Sequence, residues 1–174
     1  GSFNEKGLSQ ALIQAHYAIE QSDSAILYQE KMIAVVKQQR NSRILSQTYN
    51  TVGIYLTKAQ KYNEAIQHFN LAMEYADTTS IDGLFHYVNA LESRAHPFVQ
   101  LGKFEQALVD LKFTYEVRLR LSEYKHAMQA LAYILNYYIE EERYLTAYRF
   151  VQSELPYFDL EAELNPKNAP AYLA

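Results

Sequence analysis

The sequence predicts an all-α protein in which about four helix pairs stack into a solenoid. Two observations support this: apolar residues recur every three or four positions, the period of one helix face, and short segments repeat at a fixed interval. The segment KYNEAI at residues 61–66 reappears as KFEQAL at 103–108 and RYLTAY at 143–148, and more weakly as SDSAIL at 22–27. Its aligned alanines are separated by 40, 42 and 40 residues: Ala25, Ala65, Ala107 and Ala147. Such a period is typical of stacked units that cannot bury their apolar faces alone.

The repeats divide the chain, taken as one domain over residues 1–174, into four parts and a tail. We place the repeats at residues 5–41, 42–79, 80–121 and 122–160. Residues 161–174 are interpreted as a tail or as the start of a truncated repeat. In the first repeat, Leu8 to Ile19 step along one helix face, and Ser22 and Asp23 offer side-chain oxygens that can cap the next helix.

The second repeat has the clearest pattern. Its two amphipathic helices are joined at residues 59–61, and the small residues Gly53 and Ala65 are predicted where the helices touch. Large residues at helical spacing are predicted to fill the space around them: Tyr49, Val52, Leu56, Tyr62, Phe69 and Met73.

The later repeats contain the strongest helix-ending signals. Pro97 predicts a kink, because proline removes a backbone hydrogen bond while the helical period continues across it. Gly102 is predicted to end that helix in the left-handed conformation, and Ser122 to cap the helix that follows. The fourth repeat is predicted to close near Leu155, just before Pro156.

The spacing Tyr49-x2-Val52-Gly53-x2-Leu56, followed by Ala65-x3-Phe69, resembles the tetratricopeptide repeat, with tyrosine in place of its usual tryptophan. The resemblance implies a right-handed α-α superhelix in which the first helix of each repeat lines a concave face. The period of about 40 residues exceeds the 34 of the plain motif. It is similar to the long repeats of bacterial signalling and regulatory proteins, including peptide-pheromone-responsive regulators and repeat-containing sensor proteins.

Composition argues against several classes of protein. The net charge of −4 gives no electrostatic case for nucleic-acid binding, and no apolar run is long enough for membrane insertion. The absence of cysteine fits a cytoplasmic or a periplasmic location, so the compartment stays open. Four basic residues form a mild positive patch, which we interpret as a solvated face: Lys112, Arg118, Arg120 and Lys125. The chain begins Gly-Ser without an initiator methionine, which we interpret as a piece of a longer protein.

The sequence offers no catalytic constellation. None of the five histidines lies four residues from another, and phosphate-binding loops and nucleophile elbows are missing. We therefore expect a protein that is not an enzyme and needs no cofactor or metal. Tyrosine is unusually frequent, at 16 residues. Tyr62 and Tyr144 are predicted in the core, whereas Tyr137 and Tyr157 lie off the pattern and are candidates for contact with a partner.

The resemblance places a set of polar residues on the concave face, where amides can bond an extended peptide backbone. This candidate groove contains Gln47, Asn50, Lys58, Asn89, Glu92, His96, Gln129, Asn136 and Glu140. It predicts a non-enzymatic module that binds a protein or peptide segment, acting as the sensor or interaction domain of a larger bacterial signalling or regulatory protein. Two alternatives stay open. The chain could be the dimerisation domain of a repeat-containing regulator or sensor whose output domain is missing, forming a homodimer. The polar residues could also be an ordinary exposed helix face.

Overall fold

The computed structural model describes residues 22–38 and 41–164, which form seven α-helices and no β-strand. In chain order the helices are α1 (Ser22–Gln38), α2 (Ser42–Lys58), α3 (Tyr62–Glu74), α4 (Ile81–Gln100), α5 (Phe104–Arg120), α6 (Tyr124–Glu140) and α7 (Tyr144–Leu164). The all-α prediction is confirmed for this part of the chain. The helix predicted from Leu8 to Ile19 lies outside the described residues, as do residues 165–174 of the predicted tail.

The chain divides into two compact units, residues 1–103 and 104–174. The described helices of the first unit are α1 to α4, and those of the second are α5 to α7. The repeat predicted over residues 80–121 therefore has its first helix, α4, in one unit and its second helix, α5, in the other.

Helix α2 is central to the first unit, because it contacts α1, α3 and α4. Its apolar stripe faces the core, and the ring of Tyr49 stacks on Tyr75 with 5.6 Å between the ring centroids. The buried core of this unit contains Ile26, Ile33, Val36, Leu45, Tyr49, Val52, Leu56, Ala65, Phe69, Ala72 and Ala90. Burial of these apolar side chains is the main source of the unit's stability.

Gly53 sets how closely α2 approaches α3. A Cβ atom at this position would lie 2.5 Å from Cε1 of Phe69, whose side chain is fully buried. Ala65 is also fully buried, as the repeat pattern predicts. The second helix therefore presents an aromatic ring directly to the backbone of the first, and glycine is the residue that leaves room for it.

Four helix ends share one turn geometry. The residue after the C-cap has a left-handed backbone at Gln60 (φ 60°), Gly102 (φ 70°), Ser122 (φ 58°) and Glu142 (φ 56°). In each turn this residue's N–H donates to the carbonyl three residues back, and the next N–H donates to the carbonyl five residues back, as from Lys61 to Leu56 at 2.9 Å. This pair of bonds is the Schellman motif, which satisfies carbonyls that the helix end leaves open.

The turns confirm one prediction and correct another. Gly102 ends α4 in the left-handed conformation as expected. Ser122 is not the cap of α6: it occupies the left-handed position of the turn, and α6 begins at Tyr124 after Glu123, whose side chain makes no capping bond. The backbone bonds of the preceding helix end thus decide the conformation of Ser122.

Two prolines lie inside helices, and at one of them the helix end differs from expectation. Helix α4 continues without a break to Gln100, and Pro97 inside it is buried. The kink at Pro97 stays a prediction. Helix α7 extends to Leu164, so the predicted end near Leu155, before Pro156, is wrong. One proline costs a helix a single backbone bond, which neighbouring turns can outweigh.

The second unit is held together by an aromatic cluster between its helices. The ring of Phe150 in α7 meets Tyr115 of α5 and Tyr138 of α6 edge-on, each at 6.3 Å between centroids. The Tyr115 hydroxyl donates to Glu154 Oε2 at 2.7 Å, and Lys112 Nζ lies 5.4 Å from the Tyr138 centroid. The cluster therefore combines apolar burial with cation–π attraction.

Several surface expectations for the second unit are corrected. Arg118 is buried and pairs with Glu123 at 2.5 Å, so the predicted basic patch is not one solvated face. Tyr144 is 61% exposed, against the prediction of a core position, whereas Tyr62 in the first unit is partly buried. Tyr137 is partly buried, and burial raises its pKa to about 12, with the nearby Glu140 charge adding to the shift. The side chain of Tyr157 lies outside the described residues.

The approach of α2 to α3 can be tested with Gly53→Ala. Alanine is ordinarily the better helix former by about 1 kcal/mol, but here its Cβ would collide with Phe69. We expect a net loss of roughly 1–3 kcal/mol in the free energy of unfolding, measured by urea denaturation. In a Phe69→Leu background the same change should cost far less, because the ring is gone. Equal costs in both backgrounds would contradict this account.

Substitutions at two of the left-handed turn positions should change the free energy of unfolding in opposite directions. Glu142→Gly relieves a side chain at φ 56° and should raise the free energy of unfolding by about 0.5–1 kcal/mol. Gly102→Ala places a side chain at φ 70° and should lower it by about 1 kcal/mol. Thermal and urea unfolding of both variants measure this. Shifts of the same sign would show that the turn conformation does not decide the outcome.

Candidate functional site

A polar groove of about 240 Å³ lies in the first unit, between α2 and α4. Its lining consists of Ser46, Gln47, Asn50, Thr51, His86 and Asn89. On each helix these residues are three to five positions apart or adjacent, so they share a face, while the apolar stripe of α2 faces the core. One helix therefore supplies both the core and the groove.

The connection between α3 and α4 fixes one wall of the groove. Asp77 Oδ1 accepts hydrogen bonds from the Thr79 hydroxyl at 2.5 Å and from the Thr79 N–H at 3.1 Å. The Ser80 hydroxyl accepts from the Gly83 N–H at 3.1 Å and caps α4. A Cβ atom on Gly83 would lie 2.0 Å from the Asp77 carbonyl oxygen, so the first turn of α4 rests against this loop. Because this start is fixed, His86 and Asn89 are held opposite α2.

The other wall is anchored through Ser46, whose hydroxyl donates to the Ala72 carbonyl of α3 at 2.7 Å. Ser46 is almost completely buried, so this bond is shielded from water. Thr51 Oγ1 donates to the Gln47 carbonyl one turn back, at 2.9 Å. Both hydroxyls are therefore held by backbone carbonyls on the α2 side.

A side-chain bond bridges the two walls. Gln47 Nε2 lies 3.1 Å from His86 Nε2, within hydrogen-bond distance. Asp82 Oδ2 lies 3.6 Å from the same Nε2 and is paired with Arg43 Nε at 3.1 Å. His86 thus links the groove to an exposed ion pair.

The side-chain oxygen of Asn50 is unusual among the polar atoms of the groove lining. Its Oδ1 is buried and has no hydrogen-bond partner. An unsatisfied buried polar group of this kind costs roughly 1–3 kcal/mol, and folded proteins contain few of them. Asn50 belongs to the groove lining, while this oxygen itself has almost no accessible surface.

The structure brings together three of the nine residues predicted for the groove: Gln47, Asn50 and Asn89. Lys58 and His96 are exposed and Glu92 is partly buried, on the same two helices but outside the lining. In the second unit, three further predicted residues lie exposed on α6: Gln129, Asn136 and Glu140.

Sequence reasoning missed Ser46, Thr51 and His86, which also line the groove. Helical spacing contains the signal that could have found them. Ser46 lies four positions before Asn50, and His86 lies three before Asn89, so each shares a face with a predicted residue.

The wider surroundings add two observations. None of the helices between Ser22 and Leu164 has the length and apolarity needed to cross a membrane. Within the same described part of the chain, no group of three or more histidine, aspartate or glutamate side chains is placed to hold a metal ion.

The comparisons with known proteins give no match. This holds both for the known protein families and for the curated proteins.

The loop that positions α4 should make stability depend on pH. The Thr79 hydrogen bonds hold the pKa of the Asp77 carboxyl below its ordinary value, so its charged form is favoured in the folded protein. A lowered folded-state pKa contributes stability above the unfolded-state pKa, and this contribution is lost as pH falls through the folded-state pKa.

Asp77→Asn keeps an acceptor oxygen but removes the charge. We expect it to be less stable than the wild type at neutral pH, with the difference shrinking toward zero as both proteins are acidified below about pH 4. Urea unfolding across that range measures the difference. A difference that stays constant with pH would mean that the charge of Asp77 plays no part.

Proposed function

We propose that this chain is a non-enzymatic binding module whose groove between α2 and α4 holds part of a protein or peptide partner. The observation that supports the proposal most directly is the unpartnered Asn50 Oδ1, which lies among other polar residues in a concave site. The free protein leaves this acceptor without a bond, and a ligand that turns the Asn50 side chain toward the groove and donates to it removes the cost.

The chemistry of the lining suits a peptide. Amides such as Gln47 and Asn89 contain both a donor and an acceptor, as each peptide unit does. The volume of about 240 Å³ is below the roughly 300–1,000 Å³ of sites that enclose a drug-sized ligand. A groove of this size fits a side chain or a short stretch of backbone from a longer segment.

The resemblance to tetratricopeptide repeats implies where the groove lies in the fold and what role the chain has. Under it, the helices form a tetratricopeptide-like solenoid, α2 and α4 are first helices of successive repeats, and the groove lies on the concave face. The role that follows is the sensor or interaction domain of a larger bacterial signalling or regulatory protein. This assignment rests on the recurring segments of the sequence, and the all-α fold is compatible with it.

A second candidate is a dimerisation domain, which is supported by a different set of residues. Large apolar and aromatic side chains of the second unit are exposed to solvent, and aromatic residues are frequent at protein interfaces. They are Ile139, Tyr144, Leu145 and Tyr148, between 49% and 62% exposed.

The peptide-binding proposal makes an unusual prediction for Asn50→Leu: stability and binding should change in opposite directions. Removing an unsatisfied buried oxygen from a helix interior should raise the free energy of unfolding by about 1 kcal/mol. Affinity for peptides selected from a random display library against the wild-type protein should fall about tenfold, measured by fluorescence anisotropy.

Asn136→Leu is the comparison, because it makes the same change at an exposed asparagine on α6. It should leave the affinity unchanged. If Asn50→Leu binds the selected peptides as tightly as the wild type, the groove is not the working site. If the library yields no binder and the molar mass doubles with concentration, the dimerisation alternative replaces the proposal.

A further inference from the structure

The helix pairs α2–α3 and α6–α7 correspond to each other position by position. Ala147 lies 82 positions after Ala65. The same offset relates both ends of α2 to both ends of α6, and the start of α3 to the start of α7. Each residue of the first pair therefore has a defined counterpart in the second, and the surroundings of the two can be compared.

In the first pair, α4 contacts both helices. On α3, Asn70 accepts a hydrogen bond from Arg94 of α4. Ile66 and Tyr62 lie four and eight positions before Asn70, so they share the face of α3 that meets α4. On α2, Thr51 lines the groove between α2 and α4. One further helix thus covers the same side of both members of the pair.

In the second pair, the corresponding side is open to solvent. Three tyrosines are exposed there, whereas their counterparts in the first pair are partly buried. They are Tyr133, Tyr144 and Tyr148, at the positions of Thr51, Tyr62 and Ile66, and we call them the tyrosine face. Helix α7 is the last of the described helices, so none of these takes the place that α4 has on α2 and α3. Exposed aromatic residues grouped in this way are typical of a contact site.

The contacts of α4 also give the direction of a covering helix. Arg43 pairs with Asp82, and Gln47 contacts His86. The two residues are 39 positions apart in both contacts, so α2 and α4 run parallel and in register. The last turn of α4 therefore lies beside Lys58, the last residue of α2.

The charge at this end is reversed in the second pair. The counterpart of Lys58 is Glu140, and Glu141 and Glu142 follow it, all three exposed. The last turn of a helix has a partial negative charge, which carboxylates repel and basic side chains offset. Helix α4, beside a lysine, has no basic residue in its last turn. A helix that ends beside Glu140 is instead stabilised by lysine or arginine there.

We propose that α6 and α7 bind an amphipathic helix of a partner protein, in the place that α4 occupies on α2 and α3. Its apolar face packs on the tyrosine face, and its basic last turn lies beside Glu140. Tyrosine suits this role, because its ring offers apolar area while its hydroxyl stays in water. A second copy of the chain is a poorer match, since two chains of net charge −4 repel each other. The inference goes beyond the proposed function, whose groove lies in the first unit.

The test uses three labelled peptides of about 20 residues, the length of α4. The first has leucines along one helix face and lysines in its last turn. The second has the same leucine face and glutamates in its last turn. The third has the composition of the first, with the leucines spread around the helix. Fluorescence anisotropy at about 0.1 M salt measures their binding to the whole chain.

We expect the first peptide to bind saturably, the second about tenfold more weakly and the third not at all. Tyr148→Ser should weaken the first peptide about tenfold, because aromatic residues dominate interface energies. Val109→Ser is the control: it truncates another exposed apolar side chain, on α5, and should bind like the wild type.

A charge reversal tests the orientation. Glu140→Lys should remove most of the preference for the first peptide over the second, whereas Glu116→Lys, at an exposed site of α5, should keep it. All four substitutions are at exposed positions, and circular dichroism should show unchanged helix content.

Equal binding of the first and third peptides, or no binding of any peptide, overturns the inference. An equal loss in Val109→Ser and Tyr148→Ser does the same, as does an unchanged preference in Glu140→Lys. A chain that is dimeric without peptide and becomes monomeric with Tyr148→Ser also overturns it, because a second copy then occupies the surface. The groove proposal is tested through Asn50 in the first unit, so each can fail without the other.

Discussion

The close approach of Gly53 to the Phe69 ring determines much of the first unit. The position admits no Cβ, so the backbone of α2 lies directly on the aromatic core of α3. At this distance the next turns of α2 bury Tyr49, Val52 and Leu56, and Ser46 reaches the Ala72 carbonyl. Packing in protein interiors is dense enough that a shift of α2 would disturb all of these contacts together. The groove depends on the same constraint, because it forms on the α2 face that is not occupied by the core.

The groove contains a buried acceptor without a hydrogen-bond partner, Asn50 Oδ1, which folding alone does not favour. An acceptor left unsatisfied costs roughly 1–3 kcal/mol, a substantial part of the 5–15 kcal/mol by which domains are stable. An apolar side chain at position 50 would avoid that cost. Local features that oppose stability are expected where a protein meets its ligand. The Asn50 carbonyl is therefore a stronger functional indication than the exposed amides on α6, which water can satisfy.

Much of the fold was accessible from the sequence, because helical periodicity and small residues act locally. The spacing of Val52 and Leu56 predicted the buried stripe of α2, and Gly53 was predicted at a helix contact. Ser122 was misassigned because a good capping side chain says nothing about the backbone bonds of the preceding helix end. Tyr144 was misassigned because repeat position alone does not fix burial, which depends on what packs against each copy.

The candidate site was predicted only in part, for a geometric reason. A helix rises about 1.5 Å per residue, so Lys58 lies roughly 12 Å along α2 from Asn50, and His96 about 10 Å along α4 from Asn89. Residues on one helix face can thus lie well beyond a small groove. Whether Asn50 Oδ1 has a hydrogen-bond partner depends on all the groups around it, so the sequence does not indicate that it lacks one. Ser46 is similar, since its role depends on a carbonyl 26 positions away.

The short turns also bear on how the chain acquires its structure. Three residues join α2 to α3, and equally short turns join α4 to α5, α5 to α6 and α6 to α7. Ordering such connections costs little loop entropy, and proteins dominated by local contacts fold fast. Among the described helix pairs of the first unit, α2 and α4 are in contact without being consecutive. The Gln47–His86 bond spans 39 positions, so the groove is the least local part of this unit and the largest loop-closure cost falls on its assembly.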